Sequence, residues 1–107
     1  MMNSWLMSPP IGPDSAAIGI DQSGRADTIA LASFDMNEAG LQRIKDGKQS
    51  FAIDQQPYLQ GFLSVSILAS AIDFGTSLPT FPVLTGPGIV DASNIDATLA
   101  GVKLGAR

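Results

Sequence analysis

Neither cysteine nor histidine occurs among the 107 residues. Without a thiol there is no disulfide, no thiolate nucleophile and no zinc–sulfur centre. Without an imidazole, Ser-His-Asp and Cys-His catalysis and every imidazole metal site are excluded too. Charge is also scarce, at 15% of residues against roughly 25% in an average globular domain. Ten acidic residues outnumber six basic ones, and the basic ones are scattered as Arg25, Arg43, Lys45, Lys48, Lys103 and Arg107. No basic stripe exists to neutralise phosphates, so nucleic acid is not an expected partner. Glycoside hydrolysis needs paired carboxylates across a cleft, and the one glutamate, Glu38, falls at the start of a surface helix. With no activated nucleophile either, an enzyme is not expected, nor is a metal or cofactor.

Long apolar runs are missing as well. The longest stretch, Phe62 to Phe74, is interrupted by Ser64, Ser66, Ser70 and Asp73 and falls short of the ~20 residues that a bilayer core requires. Met1 to Met7 has neither a cationic lead nor a sustained apolar centre, so no signal peptide is expected and the chain by itself would stay in the cytoplasm. What is present is apolar surface in short pieces, 45% of residues, enough for one core of ~100–150 residues and no second domain.

Those pieces alternate between the two backbone periods. Residues 1–13 hold Pro9, Pro10 and Pro13 with Gly12 and read as an irregular lead-in. Asp14 and Ser15 are good N-cap types for a helix from Ser15 to Ser23, with Gly24 beyond its end. Thr28 to Phe34 is a nearly continuous apolar run, the pattern of a strand covered by helices on both faces. Asn37 is placed to cap a helix from Glu38 to Asp46, in which Ala39, Leu41 and Ile44 share a face and which Gly47 stops. Phe51 to Ile53 is a second strand, completing a βαβ unit. Pro57 suits the first turn of a helix running to about Phe74, its Tyr58, Phe62, Val65, Ala69 and Ile72 spaced by threes and fours. Val83 to Thr85 and Ile89-Val90 are short extended pieces around Gly86-Pro87-Gly88, and Asn94 is placed to cap a last helix from Ile95 to Leu104.

Two tempting motifs fail. Asp21 to Asp27 has the look of a calcium loop, but Arg25 and Ala26 stand where a ligand and a glycine are needed. Gly86-Pro87-Gly88 is a turn and not a phosphate cradle, because no helix start or lysine follows it closely.

A candidate site comes from the direction of the strands. In open parallel sheets ligands sit beyond the carboxyl ends of the strands. Asp35 directly follows the first strand, while Asp54, Gln55 and Gln56 follow the second, so parallel pairing brings them to one rim. A carboxylate accepts hydrogen bonds and a primary amide both donates and accepts, a combination that matches the vicinal hydroxyls of a sugar.

Several segments carry a resemblance. Ser33-Phe34-Asp35-Met36, the helix end Ile44-Lys45-Asp46-Gly47, the stretch Phe51-Ala52-Ile53-Asp54-Gln55-Gln56-Pro57-Tyr58-Leu59-Gln60-Gly61, and Val83 to Val90 resemble the C-terminal part of the substrate-binding proteins of sugar ABC transporters. That is the type I periplasmic binding protein family, similar to ribose-binding proteins and to the effector domains of LacI-type repressors. The similarity runs from about Asp14 to the end and leaves Trp5 outside. The resemblance implies an α/β fold that is part of a larger one: a parallel-sheet βαβ core from the C-terminal lobe, over residues 14–107, plus an interlobe helix. It implies that Asp35 and Gln55 bind sugar hydroxyls, and it gives Asp54 and Gln56 no regular role. Family members have two lobes, about three times this length, and close on the ligand by a hinge. The resemblance therefore implies a parent in the periplasm or cell envelope, with a monosaccharide ligand and an ABC transporter membrane permease as partners. It also implies that Tyr58 to Phe74 faces a lobe absent from this chain. Two other readings stay open: an effector-binding domain of a LacI-type regulator, and a non-binding structural module that forms a homodimer through the helix Tyr58 to Phe74.

Overall fold

The computed structural model describes residues 4–8 and 12–107. Four strands and four helices alternate: β1 (Ser4–Ser8), α1 (Pro13–Gln22), β2 (Ile29–Phe34), α2 (Glu38–Lys45), β3 (Phe51–Asp54), α3 (Pro57–Phe74), β4 (Gly88–Asp91) and α4 (Ile95–Lys103). They build one sheet in the order β1-β2-β3-β4. β1 with β2 and β2 with β3 are parallel, while β4 closes the edge antiparallel to β3. The expected βαβ unit is present, and a second one, β1-α1-β2, precedes it.

That second unit corrects the expected irregular lead-in. Ser4–Ser8 is a strand, registered from Ser4 against Ile29 to Ser8 against Ser33. Five residues next to prolines carry no periodic signal of their own, and the free edge of β2 is what draws them into the sheet. Pro13 begins α1, since its fixed φ and missing N–H cost nothing in a first turn. Gly12, and not Asp14 or Ser15, takes the N-cap position. Asp14 instead meets Arg43 of α2 at 2.6 Å. The rest of the expected lead-in, residues 1–3 and 9–11, lies outside the described residues.

Strand alternation sorts the sheet into two unlike faces. Leu31, Ser33, Ala52, Asp54 and Val90 share the face that is buried. Leu41 and Ile44 of α2 and Ile95 of α4 close over Ala52 and Val90 there to form the core, with Met36 and Leu99 at its margin. On the other face Trp5, Met7, Phe34 and Ile89 remain open to solvent. β2 was expected to be covered on both sides by helices. Its Ala30 and Ala32 are indeed buried, but they lie in register with the larger Trp5 and Phe51, whose rings stand 5.9 Å apart.

The caps decide where α2 and α4 start. Asn37 accepts the amide hydrogen of Gly40 at 2.6 Å, as the sequence predicts. Asn94 occupies the cap position of α4 without capping it. Its side chain instead accepts from the Asp91 amide at 3.0 Å and donates to the Ile89 carbonyl at 2.8 Å, tying the end of β4 to the helix start.

α3 differs from the other helices. It runs 18 residues between two left-handed backbone positions, Gln56 and Gly75, and buries no residue. Helices that are apolar all round are buried in complete folds, yet Val65, Ile72 and Phe74 are here 69–81% exposed. The excursion stretches the molecule to 60 × 27 × 23 Å, with a radius of gyration of 17.5 Å against about 13 Å for a compact chain of this length. Among the described residues no helix is long and apolar enough to cross a membrane.

Candidate functional site

Parallel pairing of β2 and β3 delivers the two polar segments to one rim. The Asp35 amide still donates to the Ile53 carbonyl at 2.8 Å, so the ladder holds to the last residue before the turn. Asp35 then adopts φ 59°, a left-handed conformation that aspartate tolerates better than branched residues. Gln55 follows β3 and donates from Nε2 to Asp35 Oδ1 at 2.8 Å. Sequence reasoning brought these two side chains together, and the structure places them in direct contact.

An open cleft of 540 Å³ lies beside this pair, within the range of small-molecule sites. Phe34, Ile53 and Pro87 give it an apolar wall, and Asp35, Gln55, Gln60 and Thr85 supply its polar groups. Among the described residues, Asp35 Oδ2 and Gln55 Oε1 have no protein partner, so both remain available to hydroxyl donors.

A second set of contacts fixes the backbone behind Gln55. The Gln55 carbonyl accepts from Gln60 Nε2 at 2.8 Å and from the Thr85 hydroxyl at 3.0 Å. Gln56 Nε2 donates to the Thr85 carbonyl. Gly86 passes so close that a Cβ there would stand 3.0 Å from the Asp54 carbonyl oxygen. Gln60 belonged to the segment that carries the resemblance but had no role assigned. Thr85 lies far along the chain, and no sequence pattern marks it. Asp54, likewise without an assigned role, is buried and paired with Arg107, with Nε 3.0 Å from Oδ2. Among the described residues no cluster of acidic, His or Cys side chains is arranged to hold a metal.

At the far end of β4, Asp91 accepts from both the hydroxyl and the amide of Ser93, at 2.5 and 2.8 Å. The hydroxyl bond and then the amide bond hold its pKa below the usual carboxylate value of 3.8.

The family model described as "periplasmic binding protein domain" matches residues 2–77. The match includes Trp5 and β1, correcting the expectation that similarity begins near Asp14. The chain is 37% identical over 81 residues to the xylose/arabinose-binding protein XylF of Sulfolobus acidocaldarius, covering 76% of this chain and 20% of that protein. A carbohydrate transporter from Acidothermus cellulolyticus 11B, solved in complex with myo-inositol, superposes with TM-score 0.77 at 31% identity over 98% of this chain and 36% of that one. A putative LacI transcriptional regulator from Bacteroides fragilis shares the fold, with TM-score 0.69 and 24% identity over 88% of this chain and 32% of that one. The chain thus spans about a fifth of the curated relative and about a third of each solved structure. By the family match over most of its length, and by its likeness in sequence and fold to these sugar-binding proteins, it belongs to the type I periplasmic binding protein family.

Proposed function

We propose that this chain forms one wall of a monosaccharide site in the substrate-binding component of an ABC sugar importer, with Asp35 and Gln55 as ligands to adjacent sugar hydroxyls. The observation that carries this reading is the 2.8 Å bond from Gln55 Nε2 to Asp35 Oδ1 on the rim of the cleft. It holds the carboxylate in place while leaving Oδ2 and the amide oxygen as acceptors for sugar hydroxyls. The apolar wall of Phe34, Ile53 and Pro87 suits the C–H face of the ring. The named ligands of the two relatives above 30% identity, xylose or arabinose and myo-inositol, are rings of contiguous hydroxyls.

In the intact parent the opposite wall belongs to a second lobe, and function is capture by lobe closure without a chemical step, in the periplasm, followed by delivery to a membrane permease. α3 is the segment that crosses between the lobes, which accounts for its uncovered apolar surface. The likeness to a LacI-type regulator is one of fold, and the carbohydrate transporter, at 31% identity against 24%, supports the transport reading.

The test is isothermal titration calorimetry of the chain with D-xylose, L-arabinose and myo-inositol, repeated for Asp35→Ala and Gln55→Ala. Hydrogen bonds to a charged group contribute ~1.5–3 kcal/mol, so Asp35→Ala is expected to weaken binding at least about tenfold. Equal affinity in Asp35→Ala and the unaltered chain refutes the assignment.

A further inference from the structure

The carboxylate next to Gln55 is unusual for its burial. Asp54 ends β3 on the covered face of the sheet with its side chain 2% exposed, and a buried carboxylate is retained only where it is both paired and hydrogen-bonded. Among the described residues each oxygen has one partner. Oδ1 accepts the amide hydrogen of Gln56 at 2.8 Å, and Oδ2 accepts from Arg107 Nε at 3.0 Å.

Both partners matter to the site. The bond from the Gln56 amide back to Oδ1 is a side-chain turn two residues long, and it holds Gln56 at φ 57°, ψ 62°, a left-handed conformation that glutamine does not choose unaided. That turn gives the two side chains separate partners, Asp35 Oδ1 for Gln55 and the Thr85 carbonyl for Gln56. Arg107 reaches Asp54 through a second built feature. Gly105, at φ 66°, reverses the backbone after α4, with its amide on the Val102 carbonyl and the Ala106 amide on the Gly101 carbonyl, each at 3.0 Å. The arginine stem lies over Gly101, where a Cβ would stand in ordinary contact at 3.5 Å from Arg107 Cβ and 3.7 Å from Cδ.

We infer that Arg107 is a positioning residue for the Gln55–Asp35 pair, acting through Asp54 and the Gln56 backbone. Its guanidinium supplies the charge that lets Asp54 stay buried, and Asp54 in turn holds the left-handed turn that aims Gln55. The bearing of this on sugar affinity rests on the function proposed above; the geometric claim does not.

Amide hydrogen exchange and side-chain amide resonances, followed by NMR on the full chain, test it. Arg107→Met keeps a stem over Gly101 while removing the charge. It is expected to speed exchange at the Gln56 amide at least tenfold and to shift the Gln55 Nε2 resonances. Adding Asp54→Asn to Arg107→Met is expected to restore both, because a neutral amide oxygen still accepts from Gln56 and needs no counter-ion. Unchanged Gln56 exchange in Arg107→Met overturns the inference. So does a double variant that fails to recover when Asp54→Asn alone behaves as the unaltered chain, since Arg107 would then act by packing and not by charge. In calorimetry with D-xylose, Arg107→Met is expected to lose about tenfold in affinity. If Asp35→Ala abolishes binding and Arg107→Met does not reduce it, the sugar site stands and this inference falls. If the unaltered chain binds no sugar, the sugar reading falls and the exchange data alone decide the role of Arg107.

Discussion

Replacing one aliphatic side chain by alanine at two places separates the packed part of this chain from the part without a partner. Leu41 is 1% exposed at the centre of the core, whereas Ile72 on α3 is 81% exposed. Truncating a buried leucine removes its transfer energy and leaves a cavity, so Leu41→Ala is expected to cost about 2–5 kcal/mol. At Ile72 only about a fifth of the side chain is covered, and burial of a whole side chain is worth ~1.5–3 kcal/mol, which leaves about 0.3–0.6 kcal/mol to lose. The better helix propensity of alanine offsets most of that loss. Ile72→Ala should therefore be nearly silent, a tenfold smaller effect from a comparable deletion. Urea unfolding followed by the fluorescence of Trp5, the one tryptophan, which sits on β1 and close to Phe51, reports the melting of the sheet. An Ile72→Ala cost above about 1.5 kcal/mol refutes the reasoning, because α3 would then be covered in solution. Repeating the curves at tenfold higher protein concentration identifies a second copy as the cover if the midpoint rises.

Two further predictions concern the frame of the site and the edge of the sheet. Gly86→Ala sets a methyl group 3.0–3.4 Å from three backbone atoms, the Asp54 carbonyl oxygen, the Gly88 nitrogen and Gln55 Cα; overpacking costs about 1–3 kcal/mol, and both the urea midpoint and any sugar affinity are expected to fall. Ser93→Ala removes the larger of the two causes that depress the Asp91 pKa, so NMR titration should show it rising toward 3.8. Because the folded-state pKa of Asp91 is lowered, its contribution to stability is present above about pH 3.8 and lost as the pH falls through the folded-state value. The stability gap between Ser93→Ala and the unaltered chain should accordingly close in strong acid, and a gap that persists or widens there contradicts the assignment.

What could be read in advance was whatever repeats or caps locally. The nearly continuous apolar run of β2, the Asn37 cap and the three-and-four spacing of α3 are each written within one element, and each appears in the structure. The Asp35–Gln55 contact was readable for a different reason, since parallel pairing of two strands forces their ends onto one rim. β1 was not readable, because Ser4–Ser8 becomes a strand only by pairing with a partner that follows a whole helix later. Asn94 has the composition of a cap, but the nearby end of β4 offers its side chain better partners. The contacts that clamp the site, Gln56 to Thr85 and Asp54 to Arg107, join residues far apart in the chain, where no local period records them.

Titration of the chain with D-xylose, monitored by the chemical shifts of the Gln55 side-chain amide, addresses the central claim most directly. If Asp35 and Gln55 together hold a sugar, those resonances move saturably on addition of the pentose, and Asp35→Ala removes the response. A saturable shift that survives Asp35→Ala unchanged, or resonances that stay still while calorimetry detects binding, would place the sugar elsewhere on the molecule.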